Sequence, residues 1–316
     1  MRFSRLGIIV LIAFTILTGA NCSYYNRIIA RKNLVDGATA YKERKFQVAE
    51  DLFRKTVALD PNAENLEGNT AQLFLARTLH SEYISDRKNT AKAEEAIQSY
   101  KKVLAKNPDD QGSFKAVASL LDSLDRKDES LQLVTESSTN GSVKPENRAE
   151  AFTSLAARQY SCANEISDVD PVKKTVKKDG KDVYQFTKPV KPEDFAKLKS
   201  CTEEGQKLID QSLALEPPAA KELKNLDLKS MTIPQINDKE DLLKIFSSAW
   251  SYKANLLYQQ MRIAEMDSNT AGKDAAKSKG DEARAVFTGL NEVEKNMEAE
   301  KDARKKAEEE KSNKQK

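Results

Sequence analysis

Hydrophobic positions along the chain recur at helical spacing in short segments separated by polar loops, which predicts a series of short amphipathic helices. The most regular segment is NLVDGATAYKERKFQVAEDLFRKTVALDP. Its small residues, Gly37 and Ala49, allow two antiparallel helices to approach closely. Its aromatic rings include Tyr41 and Phe53, which fill the seam between the helices. Pro61 ends the second helix because proline lacks an N–H and clashes with the preceding turn. The segment therefore predicts two helices joined by a tight turn.

The same spacing returns further along the chain. In AKAEEAIQSYKKVLAKNP, Ala96 and Tyr100 precede Pro108 at the offsets found in the first segment. A weaker copy, DQGSFKAVASLLDSLDRKDESLQLVTES, carries Ala118 in the position of the first small residue. We therefore expect three consecutive helix–turn–helix units, the second with a longer loop over residues 84–90.

A fourth unit is divided by an insertion. ENRAEAFTSLAARQYSCANEI reads as its first helix and PEDFAKLKSCTEEGQKLIDQSLALEP as its second. Between them, Asp179-Gly180 stands between two short runs that contain Val, Tyr and Phe, which is typical of a hairpin with a type I′ turn. We predict a small β-hairpin at about 168–190, within repeats 1–4 that together cover residues 33–217.

The C-terminal third differs in composition. Residues 218–240 read as a linker, because they are polar and contain Pro218 and Pro234. Residues 241–290 read as a fifth helix pair. Residues 291–316 are almost entirely charged, with both signs at helical spacing, and predict a solvated helical tail. This tail lacks the apolar heptads that a coiled coil requires.

These repeated units resemble the tetratricopeptide repeat (TPR) family, whose 34-residue helix–turn–helix units place small, aromatic and proline residues at fixed positions. The resemblance covers about residues 33–290 in about five units, and Trp250, Ala254 and Tyr258 match the motif best. It implies an all-α fold, a right-handed superhelix of antiparallel helix pairs with a concave face. The predicted β-hairpin insertion and the long charged C-terminal helix complete the fold class that we expect. Few glycines and prolines, and few β-branched runs, agree with an all-α chain.

The N-terminus reads as an export signal. A basic start, MRFSR, precedes the apolar run Leu6–Leu17, which is too short for a membrane span. Small residues and Cys22 follow, and this resembles a bacterial lipoprotein signal, in which the cysteine carries the lipid. We expect residues 1–21 to be a signal peptide and 22–32 a tether. Ordinary secretion and an uncleaved anchor are the alternatives, because Asn21 departs from that pattern.

Export places the remaining cysteines in an oxidising compartment, where disulfides form. Cys162 falls near the end of the first helix of the divided unit, and Cys201 near the start of the second. Antiparallel helices bring these ends together, so we predict a Cys162–Cys201 disulfide, with two buried free thiols as the alternative. We expect no metal site, because two cysteines and one distant histidine do not make a tetrahedral set.

Composition and motifs argue against several functions. The 52 basic and 49 acidic residues give a net charge of +3, which makes no case for nucleic-acid binding. His80 is the only histidine, and the chain has neither a nucleophile elbow nor a phosphate-binding loop. We therefore expect neither an enzyme nor a cofactor.

The TPR resemblance implies a scaffold that binds a protein partner, as a peptide or helix, in the concave groove. We expect this scaffold to act at the bacterial cell envelope, facing the periplasm and held at a membrane by its N-terminal lipid or anchor. The alternatives are a component of an outer-membrane assembly or secretion/pilus machine, and a solute- or glycan-binding helical lipoprotein that uses Trp250.

In each unit, the residue just after the small position is expected to face that groove. The alternative is that the aromatic residues at these positions pack between helices. These candidate partner-binding residues are Tyr41, His80, Asp122, Tyr160 and Tyr258.

Overall fold

The computed structural model describes residues 5–223 and 226–314, with side chains described for residues 24–223 and 226–311. Within these residues the chain is all-α apart from one two-stranded sheet, as the sequence predicts. A short 3₁₀ helix covers Leu228–Ser230. The other elements are α1 (Arg5–Lys42), α2 (Phe46–Leu59), α3 (Leu66–Ser85), α4 (Thr90–Lys106), α5 (Gln111–Ser123), α6 (Lys127–Thr139), α7 (Pro145–Ser167), β1 (Lys173–Lys178), β2 (Lys181–Phe186), α8 (Pro192–Ala214), α9 (Pro218–Lys221), α10 (Ile233–Met266) and α11 (Thr270–Lys314).

The predicted export signal falls mostly outside the described part. The side chains of residues 1–21 and of Cys22 are not among those described, while residues 24–32 of the predicted tether are helical within α1. Across the portion with described side chains, no helix is long and apolar enough to cross a membrane.

The chain divides into two compact units, residues 1–130 and 131–316. In the first unit, α1 packs on α2, α2 on α3, and α3 on α4. The hydroxyl of Thr56 donates to the carbonyl of Ala30 at 3.4 Å, and Gly37 faces the Phe53 ring, so α1 and α2 are antiparallel. A Cβ on Gly37 would lie 2.7 Å from that ring. The helix pair and its small–aromatic seam are therefore as the sequence predicts.

The turn of the second pair is shorter than predicted. Helix α3 continues to Ser85 and α4 begins at Thr90, so most of the loop predicted over residues 84–90 is a short turn. The two added helical residues are stable because Tyr83, which is 3% exposed, anchors the end of α3 against the core.

In the second unit, α10 packs on α7, α8 and α11, so each helix pair also contacts the neighbouring pair. Tyr258 donates to Asp281 at 2.9 Å and Ser247 donates to Asn291 at 2.9 Å, which makes α10 and α11 antiparallel. Stacked pairs of this kind are the packing that the TPR resemblance implies.

The β-hairpin inserts between α7 and α8 as predicted. Asp179 and Gly180 have φ angles of 53° and 78°, both left-handed, which a type I′ turn requires. At the base of the hairpin, Val172 and Phe186 are buried among residues of α7, α8 and α10.

The cysteine pair predicted to bridge the divided unit does so. Cys162 in α7 and Cys201 in α8 form a disulfide, with Cα atoms 6.1 Å apart and a sequence separation of 39 residues. The closed loop contains the whole hairpin.

The predicted linker over residues 218–240 is partly helical, because α10 begins at Ile233 rather than near Asp241. Thr232 and Gln235 form a capping box, and Pro234 lies in the first helical turn, where its missing N–H costs nothing. Pro234 was predicted as a linker residue, whereas it marks a helix start.

The first part of the predicted solvated tail, residues 291–316, is packed rather than solvated. Met297 is fully buried in one cluster with Leu243 and Phe246 of α10. The prediction was wrong for this portion because the charged residues around Met297 conceal an apolar stripe that continues from Leu290.

Arg304 fixes the packed portion of α11 at its far end. Its guanidinium donates to the carbonyls of Leu228 at 2.6 Å and Met231 at 2.5 Å, in the segment before α10. A guanidinium that donates to two carbonyls makes charge-assisted hydrogen bonds, which are stronger than neutral ones.

Candidate functional site

The candidate site is a groove of about 970 Å³ in the second unit, between α8 and α11, with α10 at its floor. It follows α10 from Trp250 to Asp267, a distance of about 25 Å at the helical rise per residue. An extended chain of about seven residues covers this distance.

Close packing of α8 on α10 forms one side of the groove. A Cβ on Gly205 would lie 2.6 Å from a methyl carbon of Leu256, so glycine allows the two helices to meet there. Apolar side chains also line the groove, among them Leu257 and Ile263 of α10 and Val286 of α11. The groove therefore offers contact area to apolar side chains of a ligand.

Charged side chains along the groove balance in number. Lys253 pairs with Asp210 at 2.5 Å, and Lys199 pairs with Asp267 at 2.7 Å. Hydrogen bonds from Lys188 and then Lys199 hold the pKa of Asp267 below its ordinary value of 3.8. The full charged set is Lys199, Lys207, Lys253, Lys279, Glu203, Asp210, Asp267 and Glu282. Equal numbers of each sign favour a ligand without a large net charge.

The tryptophan that was predicted as a candidate for sugar binding lies in the groove wall. Trp250 is half-buried and packs with Ala254, Leu257 and Ala283. Its indole N–H is buried and has no hydrogen-bond partner among the described residues. Because Trp250 is only half-buried, part of its side chain remains accessible at the groove surface.

Two of the predicted partner-binding residues lie in helix seams of the first unit. Tyr41 shares a hydrogen bond of 3.2 Å with Ser81, and its ring centroid is 6.1 Å from that of Phe74. His80 packs edge-on against Tyr100, with centroids 6.0 Å apart. Burial, assisted by the nearby Arg87 charge, lowers the pKa of His80 below 6.5, and burial raises that of Tyr100.

Two more of these residues lie in seams of the second unit. Tyr160 packs edge-on against Tyr252, with centroids 5.9 Å apart. Tyr258 contacts α11, where Gly280 makes room for its ring. Burial, and then the hydrogen bond to Asp281, raise the pKa of Tyr258.

The fifth predicted residue, Asp122, is exposed on α5. None of the five predicted residues lines the groove between α8 and α11. The four rings have the seam contacts of the packing alternative, and a role in partner binding stays a prediction.

An ion-pair network in the first unit was not predicted. The carboxylate of Glu50 is almost fully buried and accepts from Lys92 at 2.5 Å and Arg54 at 2.8 Å. Burial opposes ionisation of Glu50, but these hydrogen bonds outweigh it and lower its pKa. Burial raises the pKa of Glu82, which Lys92 also contacts at 2.8 Å. The network ties α2, α3 and α4 together and serves packing.

A carboxylate cluster in the second unit was also not predicted. Oxygens of Glu240, Glu294 and Glu298 lie within 4.8 Å of one another. Glu240 already accepts from Lys244 at 2.9 Å and Lys301 at 2.5 Å, which lower its pKa. These two lysines offset part of the charge of the three carboxylates and join α10 to α11.

Comparisons with known proteins give no family. No protein-family model matches the chain, and no curated protein matches it. A solved structure from a functional characterization of Pseudomonas aeruginosa pilF is 16% identical, covers 87% of this chain and 99% of that chain, and has a TM-score of 0.33. A tetratricopeptide repeat protein from Parabacteroides merdae is 12% identical, covers 84% of this chain and 98% of that chain, and has a TM-score of 0.32. Such scores add nothing to the functional argument, which depends on the helix pairs and the groove.

Proposed function

We propose that this protein is a non-enzymatic helical-repeat scaffold that is exported, is held at the bacterial cell envelope by a lipid on Cys22, and binds a segment of another protein. The groove between α8 and α11 is the observation that carries this proposal. A scaffold needs a preformed surface, and helix pairs packed on one another supply one without any catalytic group.

The groove suits a polypeptide in length and chemistry. Its length of about 25 Å fits an extended segment of about seven residues. Apolar side chains such as Leu257 and Val286 line the groove together with lysines and carboxylates. A segment that carries both apolar and polar residues suits this mixed lining.

Position-specific crosslinking tests the groove directly. The photoreactive residue p-benzoylphenylalanine replaces Gln260, which is exposed and lines the groove. The matched control carries it in place of Lys306, which is exposed on α11 outside the groove. We expect a discrete crosslinked protein from position 260 in intact envelopes and none from position 306. Equal crosslinking from both positions would refute the groove as the binding site.

The anchor is tested separately by Cys22→Ala. We expect the unsubstituted chain to sediment with membranes and to carry a lipid mass that the variant lacks. An unchanged mass and mobility in the variant would remove the lipid from the proposal and leave the groove untouched.

Binding of a small polar solute or glycan is the second candidate, because Trp250 lies in the wall of a groove without net charge. Sugars stack on aromatic rings and bind through neutral hydrogen bonds. A thermal-shift panel of peptides and glycans separates the two candidates. Stabilisation by glycans alone, lost in Trp250→Ala, would favour the second.

A further inference from the structure

The β-hairpin projects from the second unit with its outer half uncovered. Every residue in the range 177–185 is exposed, whereas Val172 and Phe186 at the base are buried. Arg262 lies over the Phe186 ring at 4.6 Å, and the Cys162–Cys201 disulfide joins the two helices beneath. The hairpin is thus a supported projection rather than a loose loop.

The register of the strands separates their side chains into two faces. Successive residues of a strand point to opposite sides, so every second cross-strand pair shares a face. The pairs Lys174↔Gln185, Val176↔Val183 and Lys178↔Lys181 share one of them. We call this set the lysine face.

The opposite face is electrically balanced. Lys173 pairs with Asp168 at 2.6 Å and lies 4.2 Å from the Tyr184 ring centroid. Lys177 stands across from Asp182 in the register. Both lysines of this opposite face, Lys173 and Lys177, therefore have a carboxylate nearby.

The lysine face has no carboxylate. Lys174, Lys178 and Lys181 are exposed, and none has an ion-pair partner among the described residues. Lys178 and Lys181 stand directly opposite each other next to the turn. Like charges in directly opposite positions repel, so an anionic surface against them relieves an existing cost.

We propose that the lysine face binds the surface of an anionic phospholipid bilayer. This rests on the envelope location given under Proposed function and adds a second contact with the membrane. The face is open and projecting, so it meets a surface more readily than it encloses a small ligand.

Residue types on the hairpin agree with a lipid surface. The stretch 168–191 has seven lysines and no arginine. Lysine presents a compact charge without the planar fork that recognises one carboxylate or phosphate in fixed geometry. Val183 is 37% exposed within the lysine face. Apolar side chains among lysines are typical of elements that lie at the membrane interface.

The expected strength follows from the three lysines. Each lysine close to an anionic leaflet strengthens binding by about fivefold, so three together contribute about a hundredfold. This contribution falls at high salt, because exposed charges are screened within about 10 Å at moderate ionic strength.

The first test measures where the protein touches the bilayer. The full chain is mixed with vesicles of phosphatidylcholine, with or without phosphatidylglycerol, and exposed lysines are acetylated and quantified by mass spectrometry. With phosphatidylglycerol, we expect Lys174, Lys178 and Lys181 to react about tenfold more slowly. Lys177, on the opposite face of the same hairpin, is the internal control and should change little. High salt should restore reactivity.

The second test measures affinity. The triple variant Lys174→Gln/Lys178→Gln/Lys181→Gln is compared with a control of equal charge change, built from exposed residues of α11, which is Lys305→Gln/Lys306→Gln/Lys311→Gln. The readout is the ratio of affinities for vesicles with and without phosphatidylglycerol, so the N-terminal segment, identical in all variants, cancels. We expect the ratio to fall about a hundredfold in the hairpin variant and to stay within about threefold in the control.

The outcomes separate the two proposals. Failure of the unsubstituted chain to bind neutral vesicles, with binding to phosphatidylglycerol vesicles that the hairpin variant loses, refutes anchoring and supports the lysine face. An unchanged ratio in the hairpin variant, or equal protection of Lys177, overturns the lysine face. Protection by inorganic phosphate alone, or only on addition of an acidic envelope protein, overturns the lipid surface as its partner.

Discussion

Replacing Met297 by alanine tests whether the charged C-terminal segment is part of the folded core. Met297 is fully buried with Leu243 and Phe246, so truncation leaves a cavity between α10 and α11. Methionine-to-alanine changes in cores cost about 2–5 kcal/mol, and for a fully buried side chain with a packed cluster we expect about 3 kcal/mol. Lys295→Ala, at an exposed position two residues away, is the matched control and should change stability by less than about 0.5 kcal/mol.

Urea unfolding followed by tryptophan fluorescence measures the change in the free energy of unfolding of the second unit. Trp250 is the only tryptophan and lies in α10, which packs on α11, so its signal reports the second unit. Circular dichroism on the same samples shows whether the first unit unfolds separately, which two compact units make necessary to check. A midpoint for Met297→Ala equal to that of Lys295→Ala would refute the packed segment and restore the solvated tail that the sequence predicts.

Three further changes test other parts of the fold. Reducing the Cys162–Cys201 disulfide, or replacing both cysteines by serine, removes a loop constraint of 39 residues and should cost about 4 kcal/mol in urea unfolding. In an open helix, Gly→Ala raises stability by about 1 kcal/mol. Gly37→Ala should instead destabilise the first unit, because the new methyl meets the Phe53 ring. An increase in the thermal midpoint of the first unit would contradict the close packing of α1 on α2. Burial, and then a neighbouring positive charge, lower the pKa of His80. The stability that the neutral ring contributes is therefore present in full above pH 6.5 and is lost as the pH falls below that value. Between pH 7 and 5 the free energy of unfolding of His80→Gln should decline less than that of the unsubstituted chain.

Local patterns were sufficient for most of the fold. Pro61 and the small–aromatic seam locate the first helix pair, and Asp179-Gly180 locates the hairpin turn, because each of these features acts within a few residues. The disulfide followed from helix pairing together with the expected export to an oxidising compartment. Pro234 misled because proline both interrupts and begins helices, and only Thr232 and Gln235 around it decide between the two.

The groove was beyond this kind of reasoning. Its lining comes from three helices, and partners such as Lys253 and Asp210 are 43 residues apart. No spacing rule joins such positions before the helices are packed. Met297 was missed for a related reason, since a sparse apolar stripe among charges shows its importance only when α10 is placed against it.

The disulfide has a consequence for proteolysis. The exposed outer half of the hairpin, rich in lysine, is an accessible segment for a trypsin-like protease, and it lies inside the loop that Cys162 and Cys201 close. A cut after Lys178 would therefore divide the polypeptide but not the molecule. The two fragments would migrate as one band until a reductant separates them, and the core around Phe186 would hold them in place meanwhile.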